Sequence, residues 1–515
     1  MTHRGENKRI AKNTIILYLR MMLTMLVSLF TSRVVLRTLG VDDYGIYQVV
    51  GGVVGMISFL NGALSVGSSR FLTFELGAGS FDRLRRTFST LLTTHIALAI
   101  FIVILAETVG LWFLYNKLVI PPERMEAAIF AYHLSILTCV VAITQVPYNA
   151  SIISHERMNV YAYMSFVDVV VKLLILFVLS IGGVDKLKLY AALLCLTQIS
   201  IALIYRYYCI REFDETRYRF TLDRKILRSV LGYSGWNMIA NASIALNTQG
   251  MTILLNLFFN PSVVAAMAIS NQVKLTAAQF VSNFRMAANP QIVKRYAAED
   301  YEGSRSLLLS STKYSYFLML VLSLPIVLVA EDMLEVWLGE VPEYAVLFLQ
   351  YAVVTSLFQV FDSSLYTALY AKGDIKVNAL VSPMLGLLRF PVVYLLFERG
   401  FSPVALSVAA LINYAVLGLV VKPILVVKIV GYEVRELLSL FGVCLRTTIV
   451  GVPIPVAIAA MGLFAESSPL LRVVSISGVS LLCVGLSVCF VGVDREVRCR
   501  LLSFALTKLR GAHIL

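Results

Sequence analysis

Charge is what this sequence has least of. Asp, Glu, Lys and Arg make up 15% of its 515 residues, against 58% hydrophobic residues and a mean hydropathy of +0.80. A soluble chain of this length could not hide so much apolar surface, which excludes that class and leaves an integral membrane protein. A Walker A loop is missing, so direct use of ATP through that device is excluded. No metal-ligand cluster and no nucleophile motif occurs, and neither a cofactor nor an enzymatic activity is expected. The seven cysteines form no secreted disulfide framework: Cys139, Cys195, Cys483 and Cys489 lie in apolar runs, Cys209 and Cys499 beside basic segments. GGVVG and LGAGS read as packing and turn glycines, not phosphate cradles. A cleavable leader is not expected either, because MTHRGENKRIAKN is polar and basic and the first apolar run is too long for an h-region. The first helix is expected to be its own insertion signal.

Long apolar runs are what the chain has in abundance. About fourteen stretches of roughly 20 residues qualify as membrane spans, near 14–39, 45–69, 88–114, 127–150, 160–181, 188–209, 227–258, 261–285, 307–330, 344–370, 377–397, 402–427, 440–464 and 470–492. The loops between them are too short for an extramembrane domain. When they are assigned alternately to two sides, one side takes the N-terminus, FDRLRRTF, SHERMN, RYYCIREFDETRYRFTLDRKILR, NPQIVKRYAAEDYEGSR, AKGDIK, KPILVVKIVGYEVRE and DREVRCRLLSFALTKLR. That side holds roughly 30 of the 44 Lys and Arg, and the other, with the acidic EDMLEVWLGEVPEY, only about seven. Both termini are thus expected in the cytoplasm. The formal net charge of +13 is a topology signal, and no nucleic-acid partner is expected.

The halves of the chain resemble one another. MNVYAYMSFVDVVVKL from Met158 aligns with IKVNALVSPMLGLLRF from Ile375, and the same shift sets QVPYN from Gln145 on DSSLY from Asp362. Span order, loop length and charge placement repeat. The expected architecture is all-α and polytopic: a cytoplasmic segment 1–13, a six-helix lobe 14–210, a linker 211–226, a pseudo-symmetric six-helix lobe 227–428, two further helices within 440–492 and a basic cytoplasmic tail 493–515. Parallel repeats of this kind suit a two-lobed transporter with a central cavity.

Charges inside the spans are costly and mark function by default. Lys172, Lys274 and Arg389 fall near the middles of the fifth, eighth and eleventh spans, and Lys172 and Arg389 are equivalent in the repeat. Lys172 has Asp168 one helical turn away, which could neutralise it locally. Lys274 and Arg389 have no acid that near and need another helix, a wet cavity or a ligand. In the first span, Arg20 and Arg33 lie within snorkelling reach of opposite ends, as does Arg37; Arg20 also continues a polar stripe through Thr24, Ser28 and Thr31. A second stripe, Asn237, Asn241, Thr248, Thr252 and Asn256, recurs along the seventh span, and Asn271, Lys274, Ser282 and Arg285 share a face of the eighth. Such stripes can simply join helices, or line a cavity for hydroxyl-rich, anionic material. Asp168 and Asp362 are the deepest acids; Asp362 could pair with Arg389, and either could couple to an ion. His95 and His133 read as hydrogen-bonded structural groups.

One resemblance ties these readings together. The run NTIILYLRMMLTMLVSLFTSRVVLRTLGVDDYGIYQVVGGVVGMISFLNGALSVGSSRFLTFELG, with Leu39-Gly40, then Tyr44-Gly45-Ile46-Tyr47, then Gly62 and Arg70, resembles the polysaccharide-transporter branch of the MOP superfamily, the Wzx-type flippases of O-antigen and exopolysaccharide. The likeness covers essentially the whole chain. It implies a MOP/MATE-like fold in a bacterial inner membrane that moves undecaprenyl-pyrophosphate-linked oligosaccharide, for O-antigen, capsule or exopolysaccharide, from the cytoplasmic to the periplasmic leaflet by alternating access. It also implies a cationic cavity, placed here at Arg20, Arg33, Lys172, Lys274 and Arg389, with Asn237, Asn241, Thr248, Thr252 and Asn271 facing sugar. A proton or sodium gradient would drive it through Asp168 or Asp362. A polysaccharide polymerase and a chain-length regulator would share the membrane. The competing expectations are a MurJ-like lipid II flippase, a MATE-type drug/cation antiporter, and a membrane polysaccharide polymerase or ligase.

Overall fold

The computed structural model describes residues 25–493 apart from Glu156 and residues 181–182, 375 and 465, together with Met22 and Arg498. Every described element is a helix. That is what a hydrocarbon interior demands, since a helix satisfies its own backbone polar groups where water cannot. Helical segments fall in each of the fourteen predicted stretches. α1 covers residues 25–39, and α2 runs Val41–Ile57 and, after a break at Ser58, Phe59–Gly77. α3 is Phe81–Asn116, α4 Pro122–Ser154, α5 Met158–Ser180 and α6 Lys186–Glu212. α7 runs Arg224–Ala245, then a π-helical turn Leu246–Gly250, then Met251–Phe258. α8 is Pro261–Ala297, α9 Tyr301–Leu328, α10 Ala345–Lys372, α11 Lys376–Glu398, α12 Ala405–Val430, α13 Val434–Ala460 and α14 Pro469–Gly492. Among the described residues, nine of these are long and apolar enough to cross a membrane; α7 and α8, which carry the polar stripes, are not in that nine.

Local chemistry sets several of the starts. Asp185 caps α6 by accepting from the Lys188 N–H at 3.1 Å. Asp223 caps α7 by accepting from Lys225 and Ile226 at 2.8 and 3.3 Å. Glu433 and Glu436 form a reciprocal capping box on α13. Large apolar side chains including Phe101, Ile104, Phe177, Leu482 and Phe490 point outward. In water such a surface would associate; on a multi-pass membrane protein it meets lipid.

The chain divides into two compact units, residues 1–268 with 383–403, and 269–382 with 404–515. This partition differs from the even division that the repeat suggests, because α7 and most of α11 pack in the first unit. There Leu64, Leu72, Phe88, Tyr148, Ile152 and Cys209 form a core joining α2, α3, α4 and α6. In the second, Ile292, Leu308, Leu365, Leu369, Val426 and Leu437 do the same for α8, α9, α10, α12 and α13.

The LG…YG motif has a physical basis. Gly40 turns the corner between α1 and α2 at φ +82°, a conformation that costs glycine least. A Cβ on Gly45 would sit 1.9 Å from the Pro261 carbonyl oxygen, so α2 and the start of α8 touch backbone to backbone. Gly62 faces the Asn241 amide in the same way, at 2.5 Å.

Candidate functional site: polar groups inside the spans

The first unit contains most of the predicted residues. Arg20 and the Asn237 side chain lie outside the described residues. Arg33 is half-buried on α1 and Arg37 is exposed. Lys172 donates to Asp168 at 2.6 Å, both side chains being partly exposed, so the one-turn partner is the one it takes. Arg389 on α11 donates through Nη2 to the Asn247 carbonyl of α7 at 3.0 Å. Asn247 lies inside the π-helical turn, where the i→i−4 ladder is interrupted and carbonyls become available to outside donors. Its own amide donates to the Ser243 carbonyl at 2.9 Å, and the Ser243 hydroxyl donates to the Pro383 carbonyl at 3.0 Å. α7 and α11 are thereby bound through polar groups.

The stripe along α7 does not keep to one environment, because the π turn inserts a residue and rotates the remainder of the helix. Asn241 packs on Gly62. Thr248 is exposed and donates back to Ile244 at 2.8 Å, while Thr252 donates to the Thr248 carbonyl at 3.1 Å. Asn256 is fully buried and closes a two-way bond with the Val119 backbone, 2.9 and 3.0 Å. That last residue is helix glue, the plainer of the two meanings such stripes have.

Sequence reasoning missed a cavity of about 310 Å³ among α2, α4 and α6 of this unit. Its polar lining comes from Tyr47, Ser58, Asn61, Ser135, Thr138 and Gln198. The signal was present: Ser135 and Thr138 sit at helical spacing on α4, opposite the glycine-rich first part of α2. The size lies at the lower end of the usual range for small-ligand pockets, and the donors and acceptors are uncharged.

In the second unit Lys274 of α8 lies over the Tyr414 ring of α12, 5.6 Å from its centroid, and Asn271 is exposed. Arg285 donates to the Ser363 hydroxyl. Within this unit Asp362 pairs with Lys422 at 3.3 Å, a partner that the sequence reading did not weigh. The sequence counts Lys422 both in the twelfth stretch, 402–427, and in the basic segment KPILVVKIVGYEVRE; the structure buries it within α12, with 3% of its side chain exposed. The burial has a structural cause. α12 carries π-helical turns at Leu417–Val421 and Val426–Val430, and Lys422 falls on the four-residue α-helical piece between them. Those turns shift its face in a way that a 3.6-residue period does not anticipate.

The repeat extends to these groups. In the first unit Arg206 of α6 donates to Thr144 at 2.6 Å and Gln145 at 3.2 Å on α4, and lies over Tyr148 at 5.6 Å. In the second, Lys422 of α12 meets Asp362 of α10 and lies over Tyr366 at 5.4 Å. Gln145 and Asp362 are the aligned positions of QVPYN and DSSLY. Each half thus holds a cation from its sixth helix against a polar residue and a tyrosine of its fourth. The histidines behave as expected: buried His95 shares a 2.8 Å hydrogen bond with the Leu91 carbonyl, and His133 faces Glu107 at 3.4 Å.

At the end of the first unit away from the basic loops, Arg124 binds Asp43 at 2.6 Å and Asp185 at 2.7 Å. The hydrogen bond from Arg124 holds the Asp185 carboxyl below its usual range, against an opposing contribution from burial.

Against known proteins, the family described as polysaccharide biosynthesis protein matches residues 10–295, more than half of the chain, and the MatE family matches 238–395. No curated protein matches the sequence. Among solved structures, the inward closed form of the lipid II flippase MurJ superposes with a TM-score of 0.68 at 12% identity, covering 92% of this chain and 99% of that one. An inward-facing multidrug resistance MATE transporter gives 0.64 at 15%, covering 81% and 95%. A MOP superfamily transporter from Pyrococcus furiosus gives 0.54 at 14%, covering 83% and 95%. These likenesses establish the MOP-superfamily fold of a multi-pass membrane protein, and the family match over residues 10–295 establishes that the chain belongs to the polysaccharide biosynthesis protein family.

Proposed function

We propose that the protein is a flippase for undecaprenyl-pyrophosphate-linked oligosaccharide, moving repeat units from the cytoplasmic to the periplasmic leaflet of a bacterial inner membrane for O-antigen, capsule or exopolysaccharide. The observation that carries this reading is the placement of Arg389 on α11, a helix long and apolar enough to cross a membrane, together with Arg33 and Lys274 inside apolar stretches of the sequence, in a chain of a polysaccharide family. A pyrophosphate headgroup is too costly to draw through hydrocarbon unaided. Guanidinium forks offer paired, charge-assisted donors to its oxygens, and amide and hydroxyl groups replace the hydration of the sugars. The lipid tail stays in the bilayer throughout. Two six-helix lobes exchanging access would carry the headgroup across, with both termini in the cytoplasm and a polymerase and chain-length regulator in the same membrane. A proton or sodium gradient is the proposed drive, with Asp168 and Asp362 as the carboxylates inside the spans.

Exchange of a cationic drug fits less well. A cation needs an available buried acid, and Asp168 and Asp362 each already hold a lysine, at 2.6 and 3.3 Å. The test is reconstitution in liposomes with a fluorescent polyprenyl-pyrophosphate oligosaccharide, following headgroup access to an external quencher. Transport of that substrate in preference to lipid II and to a cationic dye is the expected result. Transport of lipid II or of the dye alone assigns the chain to the corresponding rival class.

A further inference from the structure

The surroundings of Lys422 have the make-up of an ion site. Its ammonium has three N–H donors. It donates to the Asn378 amide oxygen and, at 3.1 Å, to the Ser382 hydroxyl, and stands 3.3 Å from the Asp362 carboxylate. The Tyr366 ring faces it at 5.4 Å. The cage is itself ordered, since the Ser382 hydroxyl donates to the Asn378 oxygen at 3.0 Å. All of these groups belong to α10 and α11 of the second unit, and the lysine comes from α12.

A carboxylate, an amide oxygen and a hydroxyl are hard-oxygen donors of the kind that replace water around small cations. One negative charge suits one positive charge. A divalent ion is disfavoured further by the Arg285 guanidinium, which also acts electrostatically on Asp362. Asp362 Oδ1 is buried and receives no hydrogen bond, so the carboxylate depends on the nearby cation for its compensation.

We propose that α10 and α11 form a monovalent-cation site that the chain fills with its own Lys422 ammonium. The native protein then binds no sodium at Asp362, which leaves that carboxylate only a proton as coupling ion in the drive proposed above, and removing the lysine opens the site to free ammonium or an alkali cation. This inference is independent of the substrate proposed above, and its test uses no substrate.

The purified full chain in detergent is melted in the chlorides of choline, sodium, potassium and ammonium at equal ionic strength. The expected result for wild type is one melting temperature in all four salts. Lys422→Ala is expected to melt lower in choline and to recover in a saturable manner with ammonium or sodium, whereas Lys422→Ala combined with Asp362→Asn recovers in neither. A single variant that melts alike in all four salts, or a double variant that responds equally, overturns the proposal. Lys422→Gln provides a check that does not depend on the alanine variant surviving extraction. Its amide keeps the cage occupied by a donor, so no cation response is expected, and a response like that of the alanine variant would count against a filled site.

Discussion

Arg206 and Lys422 each reach from the sixth helix of their half to the fourth, one residue out of register in the repeat, yet they are held differently. Arg206 binds neutral groups, Thr144 and Gln145, and is only half-buried. Lys422 is sealed in and faces a carboxylate. A guanidinium with amide and hydroxyl acceptors can lose a partner and keep others. A largely buried carboxylate that loses its ion-pair partner cannot, because the field of Arg285 remains but the bonded counter-charge does not, and most of the desolvation cost stays. The same constellation is thus a brace in one half and a charge lock in the other.

The largest expected effect breaks that lock. In choline chloride, Lys422→Ala should cost up to roughly 3–5 kcal/mol by removing the ion-pair partner of Asp362, and adding Asp362→Asn should return much of the lost melting temperature. Arg206→Gln should cost less, about 1.5–3 kcal/mol, as for hydrogen bonds to a charged group. Equal losses at the two sites would erase the distinction. Next in size, Gly45→Ala should cost about 1–3 kcal/mol through overpacking, since its Cβ would meet the Pro261 carbonyl. Gly51→Ala, with nothing within 4 Å, serves as the neutral control in the same melts. The pair Lys172–Asp168 sharpens the comparison from the other side. It is made within one helix and needs no neighbouring helix to form, so a double-mutant cycle on tertiary stability should give a smaller coupling than that of Lys422 with Asp362.

The smallest effect concerns acid. Asp185 has a lowered folded pKa against an ordinary value of 3.8. Its contribution is therefore complete above that value and lost as pH falls through the folded pKa. Asp185→Asn should lower stability at neutral pH and flatten the acid limb below about pH 4, so that the variant and wild-type curves converge at low pH.

Much of this was legible in the sequence because hydropathy is additive along a chain and repeats can be laid over one another. The fourteen helical stretches, the Lys172–Asp168 turn and the glycines of the LG…YG motif all announce themselves within a few residues. What stayed hidden depends on contacts far apart in the chain or on departures from the 3.6-residue period. Lys422 was hidden twice, by partners on α10 and α11 and by π-helical turns on both sides. The turn at Leu246–Gly250 likewise split the α7 stripe, sending Asn256 to the Val119 backbone and giving Arg389 a carbonyl at Asn247. Hydropathy did not register the break at Ser58 in α2 either, because the residues around it are apolar on both sides.

In the proposed function Lys274 and Arg389, near the middles of their apolar stretches, handle the anionic headgroup, whereas Arg37 at the end of the first stretch anchors its helix. The direct test is the liposome quenching assay with Arg389→Ala, Lys274→Ala and Arg37→Ala at equal protein abundance. Loss of one or two charge-assisted contacts to phosphate predicts transport slowed about tenfold or more in the first two, with Arg37→Ala near wild type. Equal rates for Arg389→Ala and Arg37→Ala would contradict the account.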